Sequence, residues 1–235
     1  MAADEVDALA PLSLVLHREP TICDTTLSPT SSENTLERIL MVELPEIRSA
    51  RHNEANRLAA TLTLALSADP STRWAMPDAN QYVSVFMPLV GAFGGRAALD
   101  HRTAYVIGDF LGAALWLPPG AHPDEDGMGE IFARHIGQPH LNAVYALFEA
   151  AEYHPKEPHW YLTLIGVDPA YHRRGLGSAL LRYALAACDQ DGMLAYLEST
   201  GPLSVPLYQR HGFEVMGEIV VGNSPPMFPM LRRPR

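Results

Sequence analysis

The segment Trp160-Tyr-Leu-Thr-Leu-Ile-Gly-Val-Asp-Pro-Ala-Tyr-His-Arg-Arg-Gly-Leu-Gly-Ser-Ala-Leu-Leu181 constrains the fold more than any other part of the chain. An apolar strand runs to Val167, a basic turn follows, and a helix starts at Gly175. A helix N-terminus leaves about four backbone N–H groups without partners and carries partial positive charge, so it accepts an anion. Gly175 and Gly177 remove the Cβ atoms that would hold a phosphate off the backbone. Ser178 adds a hydroxyl, and Arg173 and Arg174 add charge beside it. Two common phosphate loops do not fit. A Rossmann turn needs a third glycine where Leu180 stands, and seven residues separate Val167 from Gly175. A Walker A loop needs Gly-Lys-Ser/Thr, and this turn has no lysine.

Composition narrows the class of partner. The chain has 235 residues and a formal net charge of −10. Nucleic acid is bound through a basic face, so no such partner is expected; a cationic acceptor such as an amine suits the field better. Cys23 and Cys188 are far apart, and no C-x-x-C or Cys/His metal spacing exists. Cys188, set among Ala184, Leu185, Ala186 and Ala187, reads as a core residue. His135 with His140, and His154 with His159, lack metal-ligand spacing, and residues 122–127 read as a solvated acidic loop. Asp4, Glu5 and Asp7 do not suit a signal peptide, and the apolar runs are short of a membrane span. The expectation is a cytoplasmic protein, monomer or homodimer, with no bound metal and no membrane partner.

Residues 1–42 read as a flexible N-terminal arm, because Thr25 to Thr35 is rich in Thr and Ser with little to bury. Met41 offers an alternative first residue, which would leave residues 1–40 outside the native product. Residues 43–235 then form one domain, long enough to bury its own core. It opens with a strand near Ile47. A helix over 53–66 follows from the recurrence of Ala55, Leu58, Ala59, Leu62 and Leu66, and Asp69-Pro70-Ser71 reads as a turn. A second helix over 81–93 ends at Gly94-Gly95. Strands 102–107 and 113–117 form an antiparallel hairpin, and residues 131–153 are helical with a break at 137–139. Then come strand 159–167, helix 175–189, strand 193–199, a short helix at 205–211, and strands 213–221 and 227–231. Hairpins combined with a strand–helix–strand crossover make an α/β domain with a mixed sheet.

Arg173-Arg174-Gly175-Leu176-Gly177-Ser178-Ala179-Leu180-Leu181 resembles the acyl-CoA-binding motif of the GNAT superfamily of N-acetyltransferases, Q/R-x-x-G-x-G/A after the central strand. His172 departs mildly from the family's Gln or Arg. Tyr208-Gln-Arg-His-Gly-Phe213, the strand end Leu197-Glu-Ser-Thr200 and His154-Pro-Lys-Glu-Pro-His-Trp-Tyr-Leu162 extend the likeness to puromycin N-acetyltransferase and its relatives, over roughly residues 43 to 235. The resemblance implies a GNAT-like mixed, mostly antiparallel twisted sheet flanked by helices, with a splayed central strand pair. It implies acetyl-CoA as cosubstrate, its pantetheine arm added like a strand beside backbone groups near Ile165 and Val167. Arg173, Arg174, Gly175, Leu176, Gly177 and Ser178 would hold the pyrophosphate. Ser204 stands where relatives often carry Asn near the CoA arm.

Tyr208 matches the family's tyrosine that meets the CoA sulfur. A free phenol titrates at ~10 and a thiol at ~8.5. Either the site lowers the phenol's pKa for full proton transfer, or the phenol donates a hydrogen bond as charge develops. Glu198 ends its strand on the face of Leu194 and Tyr196 and is the candidate general base or amine anchor; a water chain to bulk is the competing route. The expected reaction is acetyl transfer to a primary amine by direct attack, without metal. The favoured acceptor is a small molecule, antibiotic-like or amino-nucleoside-like. A protein or peptide amine is one alternative, and a non-catalytic acyl-CoA-binding sensor is another.

Overall fold

The computed structural model describes residues 44–138, 140–149 and 153–235. The expected arm, residues 1–42, and the alternative start at Met41 lie outside the described residues. Residues Leu44–Arg235 form one compact unit. Its strands are β1 (Ile47–Ser49), β2 (Ala104–Ile107), β3 (Gly112–Leu117), β4 (His159–Val167), β5 (Leu194–Ser199), β6 (Glu214–Val215) and β7 (Phe228–Arg232). They form one seven-stranded sheet in the order β1-β2-β3-β4-β5-β7-β6. Every adjacent pair is antiparallel except β4–β5, which is parallel across the α-helical crossover.

Helices cover both faces. One face carries α1 (Ala55–Ala65), α2 (Pro70–Ala75), α3 (Ala79–Val90), α4 (Arg96–Asp100), α5 (Glu125–His135) and α6 (His140–Glu149). Their apolar sides pack with Ala113, Leu115 and Leu117 of β3 in one core cluster. The other face carries α7 (Leu176–Gln190) and α8 (Val205–Arg210). The α7 stripe Leu176, Ala179, Leu180, Ala184, Leu185 and Cys188 is buried at helical spacing against Ala114, Trp116 and Leu162. Leu180 is fully buried, so truncating it to alanine costs about 2–5 kcal/mol. Burial pushes the Cys188 thiol up to about 12, which leaves it an inert core residue.

Several boundaries differ from the sequence reading. Asp69-Pro70-Ser71 is not a turn but the start of α2: the Asp69 carboxylate accepts from the Thr72 amide at 2.8 Å, and Pro70 sits at the first helical position. Asp124 likewise caps α5, so the acidic stretch 122–127 turns helical at Glu125. Gly94-Gly95 does end the second helix: the backbone leaves helical φ/ψ at Phe93 and Gly94, Gly94 takes φ 117°, and α4 starts as a separate helix beyond the kink. A Cβ at Gly94 would lie 2.7 Å from Thr163 Oγ1, so glycine also permits close approach to β4. The stretch Ala79–Asp100 is, among the described residues, the one with the length and mean hydropathy to cross a membrane, but the kink at Phe93-Gly94 divides it into two helices. Just over half of it, 56%, is buried within the molecule. The strand expected at 213–221 shrinks to β6 plus an isolated bridge from Ile219 to Met227.

The parallel pair β4–β5 positions the site. Its partners are His159 with Leu194, Trp160 with Ala195 and Tyr161 with Tyr196, and pairing stops there. β4 runs on to Val167 paired only with β3. The β3–β4 register shifts between Leu115 and Trp116, leaving Thr163 bulged between Leu162 and Leu164. A bulge bends its strand and sharpens the twist, and here it falls where β4 leaves β5.

Candidate active site

The split between β4 and β5 opens a small cleft of about 60 Å³. Leu162 to Ile165 of β4 form one wall, Leu197 and Glu198 of β5 the other, and Tyr208 of α8 lies between them. The edge of β4 that faces the cleft is unpaired backbone, a template for an extended polar chain. Ile165 and Val167 lie on this stretch, their other edge paired with Ala114 and Gly112. Asp69 and Thr72 of α2 close the cleft on one side. Thr200 donates its hydroxyl to Asp69, and Ser71 donates to the Thr200 carbonyl, so α2 is tied to the end of β5.

The basic turn sits beyond Val167. Asp168 accepts from the Ala170 amide at 2.9 Å, and a short helical turn, Pro169–Tyr171, follows. Gly175 caps α7 with φ 80°, and no side chain caps this end. The first bond into the helix is Ala179 N–H to the Gly175 carbonyl at 2.9 Å, so the amides of Leu176, Gly177 and Ser178 precede it. Arg173 also takes a positive φ of 62°. Arg174 lies over the Tyr171 ring, 5.0 Å from its centroid. Leu176 buries its side chain in the core and offers only its backbone here. The reason for glycine at 175 differs from the sequence reading. A Cβ there would meet no protein atom within 4 Å, and the left-handed conformation is what excludes other residues. The Ser178 hydroxyl is committed sideways: it lies 2.7 Å from His211 Nε2 and accepts from Arg182 at 3.0 Å. That contact joins the start of α7 to the end of α8.

Tyr208 is buried, and burial first, then the Asp69 carboxylate, push its phenol well above the usual value. The phenol is therefore held protonated, against the sequence-level option of a lowered pKa. Ser204 precedes α8, where its carbonyl accepts from the Leu207 amide at 3.0 Å. Its side chain caps nothing and lines neither the cleft nor the larger cavity described next.

A second cavity of about 810 Å³ adjoins the cleft. Phe86, Leu89, Phe93, Met128, Phe132 and Val144 give it apolar and aromatic walls. Glu198 lines both spaces, with Thr163, Leu164 and Thr200. Strand alternation turns Glu198 and Tyr196 away from α7, while Ala195 and Leu197 enter the core on that side. The Glu198 side chain is only 15% exposed. Its Oε2 accepts from the Tyr161 hydroxyl at 2.8 Å, and its Oε1 lies 3.8 Å from His154 Nδ1. Tyr161, itself buried beside this carboxylate, has its phenol pushed well above the usual value, burial being the larger cause. Sequence reasoning placed Glu198 but missed Tyr161, His154, His159 and Asp69. The two histidines lack metal-ligand spacing, and nothing in the chain marks them as partners of Glu198. Asp69 carried a signal, the Asp-Pro pair that starts a helix.

Residues 122–213 match the sequence model of the Acetyltransferase (GNAT) family. An uncharacterised N-acetyltransferase of Schizosaccharomyces pombe is 28% identical over 199 residues, spanning 76% of this chain and 79% of the yeast protein. A solved structure from Corynebacterium glutamicum, described as histone acetyltransferase HPA2 and related acetyltransferase, superposes with a TM-score of 0.62 at 25% identity, covering 82% of this chain and 97% of that one. Arylalkylamine N-acetyltransferase 2 of Aedes aegypti shares the fold with a TM-score of 0.58 at 13% identity, over 81% and 99% of the two chains. The mostly antiparallel seven-stranded sheet between helical layers is the GNAT fold. The chain is an acyltransferase, and its likenesses are to N-acetyltransferases of the GNAT type.

Proposed function

We propose that this enzyme moves an acetyl group from acetyl-CoA to the primary amine of a small molecule with an apolar, aromatic body. The observation that carries this reading is the place of Glu198, a carboxylate shared by the 810 Å³ aromatic cavity and the cleft beneath Tyr208. A cavity of that volume suits a drug-sized ligand. The half-buried Glu198 carboxylate, common to cavity and cleft, suits an ammonium group held there. Proteins of the matched family generally use acetyl-CoA. The uncapped N-terminus of α7 and the unpaired edge of β4 fit its pyrophosphate and its amide-bearing arm. When bound, acetyl-CoA supplies an activated acyl group. The amides of Leu176, Gly177 and Ser178, with Arg173 and Arg174, hold the anion, and backbone groups at Ile165 and Val167 align the arm.

Glu198 anchors the ammonium and removes a proton to expose the nitrogen lone pair. The free nitrogen attacks the acetyl carbonyl directly. Tyr208 stays protonated and donates a hydrogen bond to the sulfur as negative charge develops there. Full proton transfer from even a free phenol to a thiolate is uphill by roughly 2 kcal/mol, and burial widens that gap.

The aromatic walls favour arylalkylamines, the acceptors named for the Aedes aegypti relative in fold. The sequence likeness to puromycin N-acetyltransferase adds amino-nucleosides. The test is release of CoA thiol with phenethylamine, tryptamine, an amino-nucleoside and a lysine-containing peptide. Turnover of at least one small aromatic amine, with kcat/KM above that of the peptide, is expected. Preference for the peptide would overturn the acceptor assignment, and failure to bind acetyl-CoA in calorimetry would overturn the whole reading.

A further inference from the structure

The histidines beside Glu198 fix where its proton can go. His159 Nδ1 lies 2.7 Å from the Glu157 carbonyl oxygen. A carbonyl only accepts, so this nitrogen carries a proton. Burial is the largest influence on the His159 ring and lowers its pKa, so the ring is neutral near pH 7 and its Nε2 is a lone pair. His154 Nε2, 2.9 Å away, must therefore donate to it. With Nε2 donating, the neutral form of His154 has its lone pair on Nδ1, and that atom faces Glu198 Oε1 at 3.8 Å. Two acceptors thus confront each other across a gap longer than a hydrogen bond. One added proton on either atom would turn the gap into a charge-assisted contact.

We infer that His154 takes up the proton that Glu198 removes from the acceptor ammonium, and that His159 is a positioning residue that holds His154 in the receptive tautomer. This relay rests on the N-acetyltransfer reading of the site. The acceptor R–NH3⁺ gives one proton to Glu198 and on to His154 Nδ1, leaving R–NH2. The nitrogen–carbon bond forms and the carbon–sulfur bond breaks. A second proton from nitrogen ends on the departing sulfur as free CoA thiol. The first proton leaves the imidazolium for solvent, since the His154 side chain is 35% exposed and lines the acceptor cavity. The products are the amide, CoA thiol and one proton.

Every element around His154 contributes to this balance. Glu198 and Tyr196 face it from β5, and Tyr161 and His159 from β4. Lys156 and Glu157 lie on its own loop, and His122 and Glu125 share the cavity wall.

The experiment is the pH dependence of kcat/KM, using whichever amine of the panel above is turned over best. Wild-type activity should fall on the acidic side as the relay fills with protons. His154→Ala should lower kcat/KM at pH 7 by about 10²-fold, lose that acidic limb, and recover activity with added free imidazole. His154→Gln, which keeps a hydrogen-bonding side chain but cannot take up a proton, should show the same loss and provides the test if the alanine variant does not fold. His159→Phe should lower kcat/KM less, and leave His154 free to change tautomer. An acidic limb that persists unchanged in both His154 variants overturns the relay alone. A wild-type enzyme that releases no CoA thiol with any amine of the panel overturns the N-acetyltransfer reading and the relay with it.

Discussion

Replacing Gly177 with alanine should make the protein more stable and a poorer binder of acetyl-CoA. Gly177 is the second residue of α7 and is not among the residues with positive φ. A Cβ there would meet Leu207 Cδ2 and Val167 Cγ2 at 3.8 Å, an ordinary contact. Alanine is favoured over glycine in a helix by roughly 0.5–1 kcal/mol. At about 2–4 °C per kcal/mol for a domain of this size, the melting temperature should rise by about 1–4 °C. The same methyl stands between Val167 at the end of β4 and Leu207 of α8, beside the first-turn amides proposed to bind the pyrophosphate. Losing one hydrogen bond to a charged group costs about 1.5–3 kcal/mol, so the dissociation constant should rise roughly 10- to 100-fold. Gly175→Ala provides the contrast. Its Cβ would meet nothing within 4 Å, but φ is 80°. A side chain in that conformation costs about 1–2 kcal/mol, so this variant should melt lower and also bind more weakly. Thermal melts of the free proteins and titration calorimetry with acetyl-CoA read the two effects separately. Unchanged affinity in Gly177→Ala would refute backbone capture of the pyrophosphate. A higher melting temperature in Gly175→Ala would refute the left-handed argument.

Other substitutions probe the rest of the frame. Tyr208→Phe should leave acetyl-CoA affinity unchanged and lower kcat by about 10²-fold, because it removes only the donor to sulfur; equal kcat in steady-state assays would make the tyrosine passive. Arg232 is buried, makes paired bonds of 2.7 and 2.8 Å to Asp189, and thereby joins β7 to α7. Arg232 is the main cause holding the Asp189 carboxyl below its usual range. That stabilisation is fully present above the unfolded value of ~3.9 and is lost as pH falls through the lower folded value. Asp189→Asn should therefore destabilise by on the order of 3 kcal/mol at pH 7 and flatten the acid limb of stability in denaturant titrations; an unaltered limb would place the acid sensitivity elsewhere. Gly166→Ala should cost about 1–3 kcal/mol in the same titrations, because its Cβ would fall 2.5 Å from Ala65 Cβ and push α1 off the sheet; a neutral result would mean that α1 yields freely.

What the sequence makes legible depends on how far apart the cooperating residues lie. The stripe from Leu176 to Cys188 and the apolar run of β4 are local periodicities, and both elements form where those patterns predict. The errors fall where a local signal has two outcomes. Asp69-Pro70 reads as a turn or as a cap with proline at the first helical position, and only docking against Thr200 selects the helix. Gly94-Gly95 reads as a helix end, and the backbone does leave the helix at Phe93 and Gly94, where Thr163 leaves no space for a side chain.

The site follows the same rule. The turn proposed to bind the anion is contiguous in sequence, so its chemistry can be reasoned from the residues before any fold is known. The acid–base arrangement is assembled from β5, β4 and the loop before β4, and no spacing in the chain announces that Glu198, Tyr161, His154 and His159 will meet. The hydrogen-bond roles pass along this set from one fixed point, the Glu157 carbonyl, which can only accept. That constraint, together with the burial that keeps His159 neutral, sets the tautomer of His159 and makes His154 Nε2 the donor between the rings. The same logic explains why metal-ligand spacing was the wrong question for the two histidines. Their nitrogens are turned toward each other and toward Glu198, an arrangement suited to passing a proton.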